Sequence, residues 1–319
     1  MTKLKTNKGA SSNVAFIFPG QGAQAVGMGR DLYDNSPAAR AVFEEVDDAL
    51  GRNLSALMFD GPEEELRQTA NAQPAIMAVS LATVRALEEQ AGSGGLPTPA
   101  LMAGHSLGEY TAIAVSGALG VGDTARLVEE RGRLMQLACE MTPGTMAAII
   151  GLDHMAVEEI SRQTGTYVSN VNTGEQVVIS GEVLAVARAL DMASARGAKK
   201  AIPLRVGGAF HSGLMKPARD GLAKVVGNLK LQVPSVPIVA NMTGSPIQTV
   251  AELREELVTQ VCECVQWKRS VEYMIDYGVT EFVEIGPGRA LSGMIKRIDR
   301  SVGTTAVGNL DSVSSFSLN

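Results

Sequence analysis

The stretch Gly104-His105-Ser106-Leu107-Gly108 sets a serine between two glycines directly after the apolar run Ala100-Leu101-Met102-Ala103. Those residue types at that spacing fit a strand, a sharp turn and a helix, with the Ser106 hydroxyl projecting from a turn whose crowding the glycines relieve. A serine hydroxyl is a poor nucleophile until a base takes its proton, and the chain offers three histidines. His105 adjoins Ser106, so alternation at a strand end aims its side chain elsewhere, toward support of the turn. His154 opens a helical pattern, where a solvated or capping role is the simpler reading. His211, in Gly207-Gly208-Ala209-Phe210-His211-Ser212-Gly213, is the base by elimination. No acid stands near His211 in sequence, so the group that orients it is either a distant carboxylate such as Glu284 or a main-chain carbonyl. Spacing does not choose between them. The oxyanion formed when serine attacks a carbonyl needs N–H donors, one from Leu107 and a second from another strand-to-helix loop, for which Gly20-Gln21-Gly22 is suited.

Arg131 supplies the substrate clue. In the helical pattern Ala125 to Met135, Leu127, Val128, Leu134 and Met135 share one face, and Arg131 falls on it, while Arg126, Glu129, Glu130 and Arg133 take the other side. A guanidinium on a core-facing stripe must meet an anion. That anion is either an internal carboxylate in a structural ion pair or the carboxylate of a substrate held beside Ser106.

These side chains need a scaffold. Val14–Phe18 is an uninterrupted apolar run, as in a strand buried on both faces of a parallel sheet, and Pro19-Gly20-Gln21-Gly22 turns the chain after it. Helical patterns cover about 38–50 and 73–91, separated by a loop at Asp60-Gly61-Pro62, and strands alternating with helices make an α/β protein. From about Thr142 to Val206 the order becomes β-α-β-β-α-β, predicted as strands 146–150, 167–171, 176–180 and 201–206 with helices 155–162 and 183–196. That order is expected to form an inserted ferredoxin-like subdomain, 141–206, inside a large α/β-hydrolase-like domain with a parallel sheet and a nucleophile elbow, 1–140 and 207–319. After it come helices over about 214–229 and 250–261, a strand at Pro237–Ala240 and a helix after Trp267. A final strand, Glu281–Ile285, leads into Gly286-Pro287-Gly288, and a Ser-rich end from Ser312 reads as a frayed terminus.

Composition bounds the function. The chain has 319 residues, 45% hydrophobic and 19% charged, with a net charge of −6, which argues against nucleic acid as the main partner. No run approaches a membrane span, and the polar segment 1–13 has no apolar signal core, so a soluble, intracellular protein is expected. Cys139, Cys262 and Cys264 read as reduced thiols, and nothing near them suggests a metal site. Gly20-Gln21-Gly22-Ala23-Gln24-Ala25 formally matches a dinucleotide fingerprint, but the acids that should end a second strand, Glu44, Glu45, Asp47 and Asp48, lie in a helical pattern. A serine esterase or thioesterase of α/β-hydrolase type would share the nucleophile and base but has no need of Arg131. A non-catalytic interaction protein leaves Ser106, His211 and Arg131 unexplained together.

Phe18-Pro19-Gly20-Gln21-Gly22, Gln73-Pro74-Ala75, Gly104-His105-Ser106-Leu107-Gly108-Glu109, Arg131-Gly132, Phe210-His211 running into Leu214-Met215-Lys216-Pro217, Val265-Gln266-Trp267 and Gly286-Pro287-Gly288 occur in one order from about Val14 to Ile298. In these blocks the chain resembles the malonyl-CoA:acyl carrier protein transacylases of type II fatty acid synthesis. The resemblance implies that Ser106 carries the malonyl group, that His211 is oriented by the main-chain carbonyl at Gln260, and that the N–H groups of Gln21 and Leu107 bind the oxyanion. It implies that Arg131 holds the malonyl carboxylate, with Gln73, Phe210 and Asn172 as further substrate contacts. Malonyl-CoA and acyl carrier protein are the expected partners, with no metal or redox cofactor. The implied protein is a monomer in the cytoplasm, or in the plastid stroma for a processed plastid form. Arg196, Lys199 and Lys200, with Lys296 and Arg297, are expected to receive an acidic carrier protein; solvated surface charges are the alternative.

Overall fold

The structure, a computed structural model, describes residues 13–317; the polar segment before Asn13 lies outside them. Five strands, β1 (Val14–Phe18), β2 (Leu101–Gly104), β7 (Ile238–Val239), β8 (Glu281–Ile285) and β9 (Gly303–Val307), form a wholly parallel sheet in the order β7-β2-β1-β8-β9. The apolar run of β1 follows from its central place, since both faces are covered. Val14, Phe16 and Phe18 pack with helices Pro37–Leu50, Thr69–Ala91, Leu107–Val115 and Val121–Met141. Ala15 and Ile17 face the other way, against Trp267, Val271 and Met274 of helix Trp267–Tyr277 and Leu291 and Ile295 of helix Ala290–Ile298.

The second sheet holds β3 (Gly144–Ile150), β4 (Tyr167–Thr173), β5 (Gln176–Glu182) and β6 (Lys200–Pro203), antiparallel in the order β4-β5-β3-β6. Ala147, Ile149, Val177 and Ile179 bury one face under helices His154–Thr164 and Val183–Ala195, while Met146, Ala148 and Val178 join the main core. Val171 N–H donates to Val265 O at 2.9 Å and Val265 N–H to Ser169 O at 2.8 Å, tying β4 to the segment before Trp267.

Several elements differ from the sequence reading. The strand at 281–285 is not the last: β9 follows it, a short run, Gly-Thr-Thr-Ala-Val, with too little apolar character to be read as a strand. The Ser-rich end begins within helix Leu310–Ser314, which Asn309 and Ser312 cap reciprocally. β4 runs on through Asn172 and Thr173, so Asn172 lies in a strand rather than a connecting turn; buried polar side chains there hid the alternation. The long helix expected from Gln73 begins at Thr69 and includes Pro74. Two short helices, Leu54–Asp60 and Glu63–Arg67, flank the loop at Gly61. Asp153, rather than His154, caps the helix that follows it.

Candidate active site

The carboxyl ends of β1, β2 and β7 meet at one place, the edge where open α/β sheets gather their ligands. β2 ends at Gly104, the chain turns through His105 and Ser106, and a helix begins at Leu107. The turn is tight enough to need its glycines: a Cβ on Gly108 would stand 2.0 Å from Phe18 O, and one on Gly104 would stand 1.9 Å from the Gly108 carbonyl carbon. Ser106 itself has φ 52°, in the left-handed region that favours glycine. One other non-glycine residue among the described residues has a positive φ, His211 at 55°. Such a conformation costs about 1–3 kcal/mol and persists where the surroundings impose it. It falls here on the two residues singled out as nucleophile and base.

The two meet directly. Ser106 Oγ lies 2.7 Å from His211 Nε2. The other ring nitrogen, Nδ1, lies 2.9 Å from Gln260 O and 3.1 Å from Glu263 O, carbonyls at either end of a tight turn that follows helix Val250–Thr259. Carbonyls only accept, so Nδ1 carries the proton and Nε2 faces Ser106 with its lone pair. Burial first, and the nearby Arg131 charge next, hold the His211 pKa down to about 3, so the ring is neutral and its Nε2 lone pair is free to take the serine proton. Glu284, the alternative for this orienting role, is engaged elsewhere: its carboxylate accepts from Leu291 N–H at 3.1 Å and Ser292 N–H at 2.7 Å at the start of helix Ala290–Ile298.

Arg131 is 1% exposed. Its Nη1 donates to Gln73 Oε1 at 2.5 Å, and its Nη2 donates to Gln260 Oε1 at 2.8 Å and to Ser106 Oγ at 3.1 Å. The guanidinium carbon stands 5.0 Å from the centre of the Tyr110 ring. Among the described residues, the Arg131 Nε–H has no partner and no ion pair includes Arg131. A buried cation is thus aimed at the serine with neutral acceptors and no carboxylate in direct contact among the described residues, an arrangement that an incoming carboxylate would complete.

The other expected residues are distributed around this core. Leu107 is the first residue of its helix, so its N–H has no helical acceptor. The Gly20–Gly22 turn lies against the elbow, where a Cβ on Gly20 would stand 2.5 Å from His105 O. Gln21 is exposed there, its side chain 3.5 Å from Thr69 Oγ1. Gln73 is occupied by Arg131, and Asn172 Oδ1 lies 2.9 Å from His105 Nε2, so both reach the centre through another side chain. Phe210 is buried beside Cys139 and the Gly208 backbone. Arg297 bonds Gln176 and Lys199 pairs with Glu175, while Lys200 faces Ile150, which is paired with Gln176. These three residues therefore lie at one end of the small sheet. Arg196 and Lys296 are tied instead to Gln163 and to Val302 O.

Four residues escaped the sequence reading. Asn241, just past β7, accepts Ser106 N–H on Oδ1 at 2.7 Å and donates Nδ2–H to Gly104 O at 2.7 Å. Glu109 and Glu256 lie buried behind it, and Tyr110 donates to Leu257 O at 3.0 Å beneath Arg131. A lone acid in the apolar helix Leu107–Val115 was the signal for Glu109. Nothing local marked Asn241 or Glu256.

Among the described residues, no helix is long and apolar enough to cross a membrane, and no cluster of three or more His, Cys, Asp or Glu side chains could hold a metal ion. The cysteines are free thiols whose pKa values burial raises, Cys139 to about 11, Cys262 to about 11 and Cys264 to about 12.

Residues 15–310 match the acyl transferase domain family. The chain is 41% identical over 307 residues to the malonyl CoA-acyl carrier protein transacylase of Bacillus subtilis, covering 95% of each. With the enzyme of that name from Escherichia coli strain K12 it is 44% identical over 288 residues, 89% of this chain and 92% of the relative. The fold superimposes on the acyl-carrier-protein S-malonyltransferase of Bartonella henselae with a TM-score of 0.90 at 42% identity, covering 95% of this chain and 97% of that one. It superimposes equally, at a TM-score of 0.90 and 42% identity over 95% of this chain and 98% of that one, on a malonyl-transacylase in complex with its type II PKS acyl-carrier protein. The chain belongs to the malonyl-CoA:acyl carrier protein transacylase family of acyltransferases.

Proposed function

We propose that this protein transfers a malonyl group from malonyl-CoA to the phosphopantetheine thiol of an acyl carrier protein through a malonyl-serine intermediate. The observation that carries the reading is the buried Arg131 guanidinium, 3.1 Å from Ser106 Oγ and in no ion pair among the described residues. Ser106 attacks the thioester carbonyl as His211 Nε2 takes its proton. The N–H groups of Gln21 and Leu107 bind the developing oxyanion. Collapse expels the CoA thiolate, which takes the proton from His211. The carrier-protein thiol then repeats the steps in reverse, giving ping-pong kinetics without a cofactor. His211 alternates as base and acid while the Gln260 carbonyl fixes its tautomer, and Arg131 holds the free malonyl carboxylate in a charge-assisted clamp. Gln73 supports the clamp, and Phe210 and Asn172 are further substrate-binding residues, Asn172 acting through His105.

The architecture fits a large α/β-hydrolase-like domain, 1–140 and 207–319, with a ferredoxin-like subdomain, 141–206. Support comes from the elbow at Ser106 and from the β-α-β-β-α-β order of the small sheet with its strand order β4-β5-β3-β6. The working form is a cytoplasmic monomer. Lys199, Lys200 and Arg297, with Arg196 and Lys296 nearby in sequence, form the landing surface for an acidic carrier protein.

The test is acyl selectivity. Arg131→Ala is expected to lower kcat/KM for malonyl transfer by roughly 100-fold or more, the loss of a buried hydrogen-bonded charge pair, while acetyl transfer is retained. Equal loss of both contradicts the clamp, and release of malonate to water as fast as to carrier protein would favour an esterase.

A further inference from the structure

Glu109 is the one acid of helix Leu107–Val115, and its side chain is fully buried. Glu256 reaches the same place from helix Val250–Thr259. Consecutive main-chain N–H groups set the two carboxyls side by side: Asn241 N–H donates to Glu109 Oε1 at 2.8 Å, and Met242 N–H to Glu256 Oε1 at 3.0 Å. The two carboxyls are near enough for each to act on the other's ionisation. Two buried carboxylates this close do not both ionise near neutrality, and burial, with mutual repulsion added at Glu109, raises both pKa values. The pair therefore holds one proton and one negative charge. Two side-chain amides direct N–H groups at Glu109, Asn241 Nδ2 at 3.0 Å and Gln260 Nε2 at 2.6 Å, and neither directs one at Glu256. That places the charge on Glu109 and the proton on Glu256.

Each amide passes this orientation to the reaction centre. An amide has a donor end and an acceptor end, so once Glu109 claims the NH2 groups, the oxygens must face the other way. Asn241 Oδ1 then meets Ser106 N–H at 2.7 Å, and Gln260 Oε1 meets Arg131 Nη2 at 2.8 Å. Gln260 Nε2 also bonds Ser106 O at 2.9 Å, and the Gln260 main chain accepts from His211. One residue thus touches the nucleophile's backbone, the base and the clamp.

We propose that Glu109 and Glu256 are positioning residues for acyl transfer. Glu109 supplies the counter-charge that Arg131 meets through the Gln260 amide, and Glu256 is the hydrogen-bond donor that keeps Glu109 in place. The inference rests on the transferase reading, and it assigns these two acids to malonyl selectivity.

Glu109→Gln and Glu256→Gln are to be compared with wild type for malonyl and acetyl loading of Ser106 from the CoA thioesters, with thermal unfolding as the folding control. Infrared spectra in the carboxyl C=O region read the proton apart from activity. Glu109→Gln forces one amide to turn round, so malonyl loading falls by roughly 10- to 100-fold in kcat/KM, the size of a hydrogen bond to a charged group. Acetyl loading falls less, which lowers the malonyl-to-acetyl ratio. Glu256→Gln keeps a donor facing Glu109, loses far less, and removes a protonated-carboxyl band that wild type shows at pH 7. Equal losses in the two variants, an unchanged acyl ratio in folded Glu109→Gln, or a wild-type spectrum without that band would overturn the proposal. Should Glu109→Gln fail to fold, the rate and spectrum of Glu256→Gln decide. A wild-type protein that takes up no acyl group refutes the transferase reading, and the infrared band still decides the state of the pair.

Discussion

His211 makes the sharpest prediction at the scale of single residues. Burial and the Arg131 charge lower its pKa to about 3, against 6.5 for the free side chain. The folded site therefore stays unprotonated where the unfolded chain takes up a proton. The stability this group contributes is present above about pH 6.5 and lost as pH falls toward 3, by about 1.4 kcal/mol per pH unit in that window. Activity follows the folded value, so the kcat/KM profile for malonyl loading is expected to stay level through pH 6.5, and an acid limb there would contradict a neutral, buried base. Ser106, His211 and Arg131 were legible in the sequence because each conflicts with its local pattern: a serine in a glycine-bounded turn, a histidine in a glycine-rich loop, a guanidinium on an apolar stripe. Asn241 was not, since it reaches the Ser106 N–H from 135 positions away and nothing in its own neighbourhood departs from an ordinary strand end.

The elbow is an element whose geometry is set by backbone approach, and that can be tested against a helix with room to spare. Gly108→Ala drives a Cβ to 2.0 Å from Phe18 O on β1, main chain that cannot step aside. It is expected to cost about 3 kcal/mol or more in denaturant unfolding and to abolish acyl loading. Gly293 lies exposed in helix Ala290–Ile298 with nothing within 4 Å of an added Cβ. Gly293→Ala should stabilise the protein by about 0.5–1 kcal/mol and leave loading alone. A tolerant Gly108 would refute the claim that β1 and the elbow are locked together. The strands buried on both faces were read correctly from their apolar runs, β1 to the residue. β9 was missed because an edge strand partly open to solvent needs little apolar character, and β4 was cut short because its buried positions carry Ser, Asn and Thr. The orienting carbonyls at Gln260 and Glu263 come from a tight turn at a helix end, and main-chain groups leave no mark in a pattern of side chains.

Across the whole molecule, the proposed transfer has a chain of net charge −6 meeting an acidic carrier protein, which calls for a local basic surface. Reversing Lys199 and Lys200 to Glu is expected to raise KM for carrier protein by roughly 3- to 10-fold at low salt, an effect that added salt diminishes, while malonyl loading of Ser106 keeps its rate. An unaltered KM would move the landing site elsewhere. Both sheets converge on one centre: the parallel sheet delivers Ser106, Asn241 and the Gly20 turn from its strand ends, and the small sheet braces His105 through Asn172. Within that frame Ser106, His211 and Arg131 are proposed to take an acyl group bearing its own carboxylate. Intact-mass measurement after mixing with malonyl-CoA tests this most directly. A single malonyl adduct is expected on wild type, absent from Ser106→Ala, and lost to carrier protein in preference to water when the holo form is added. An adduct that persists in Ser106→Ala, or wild type that stays unmodified, would contradict the account.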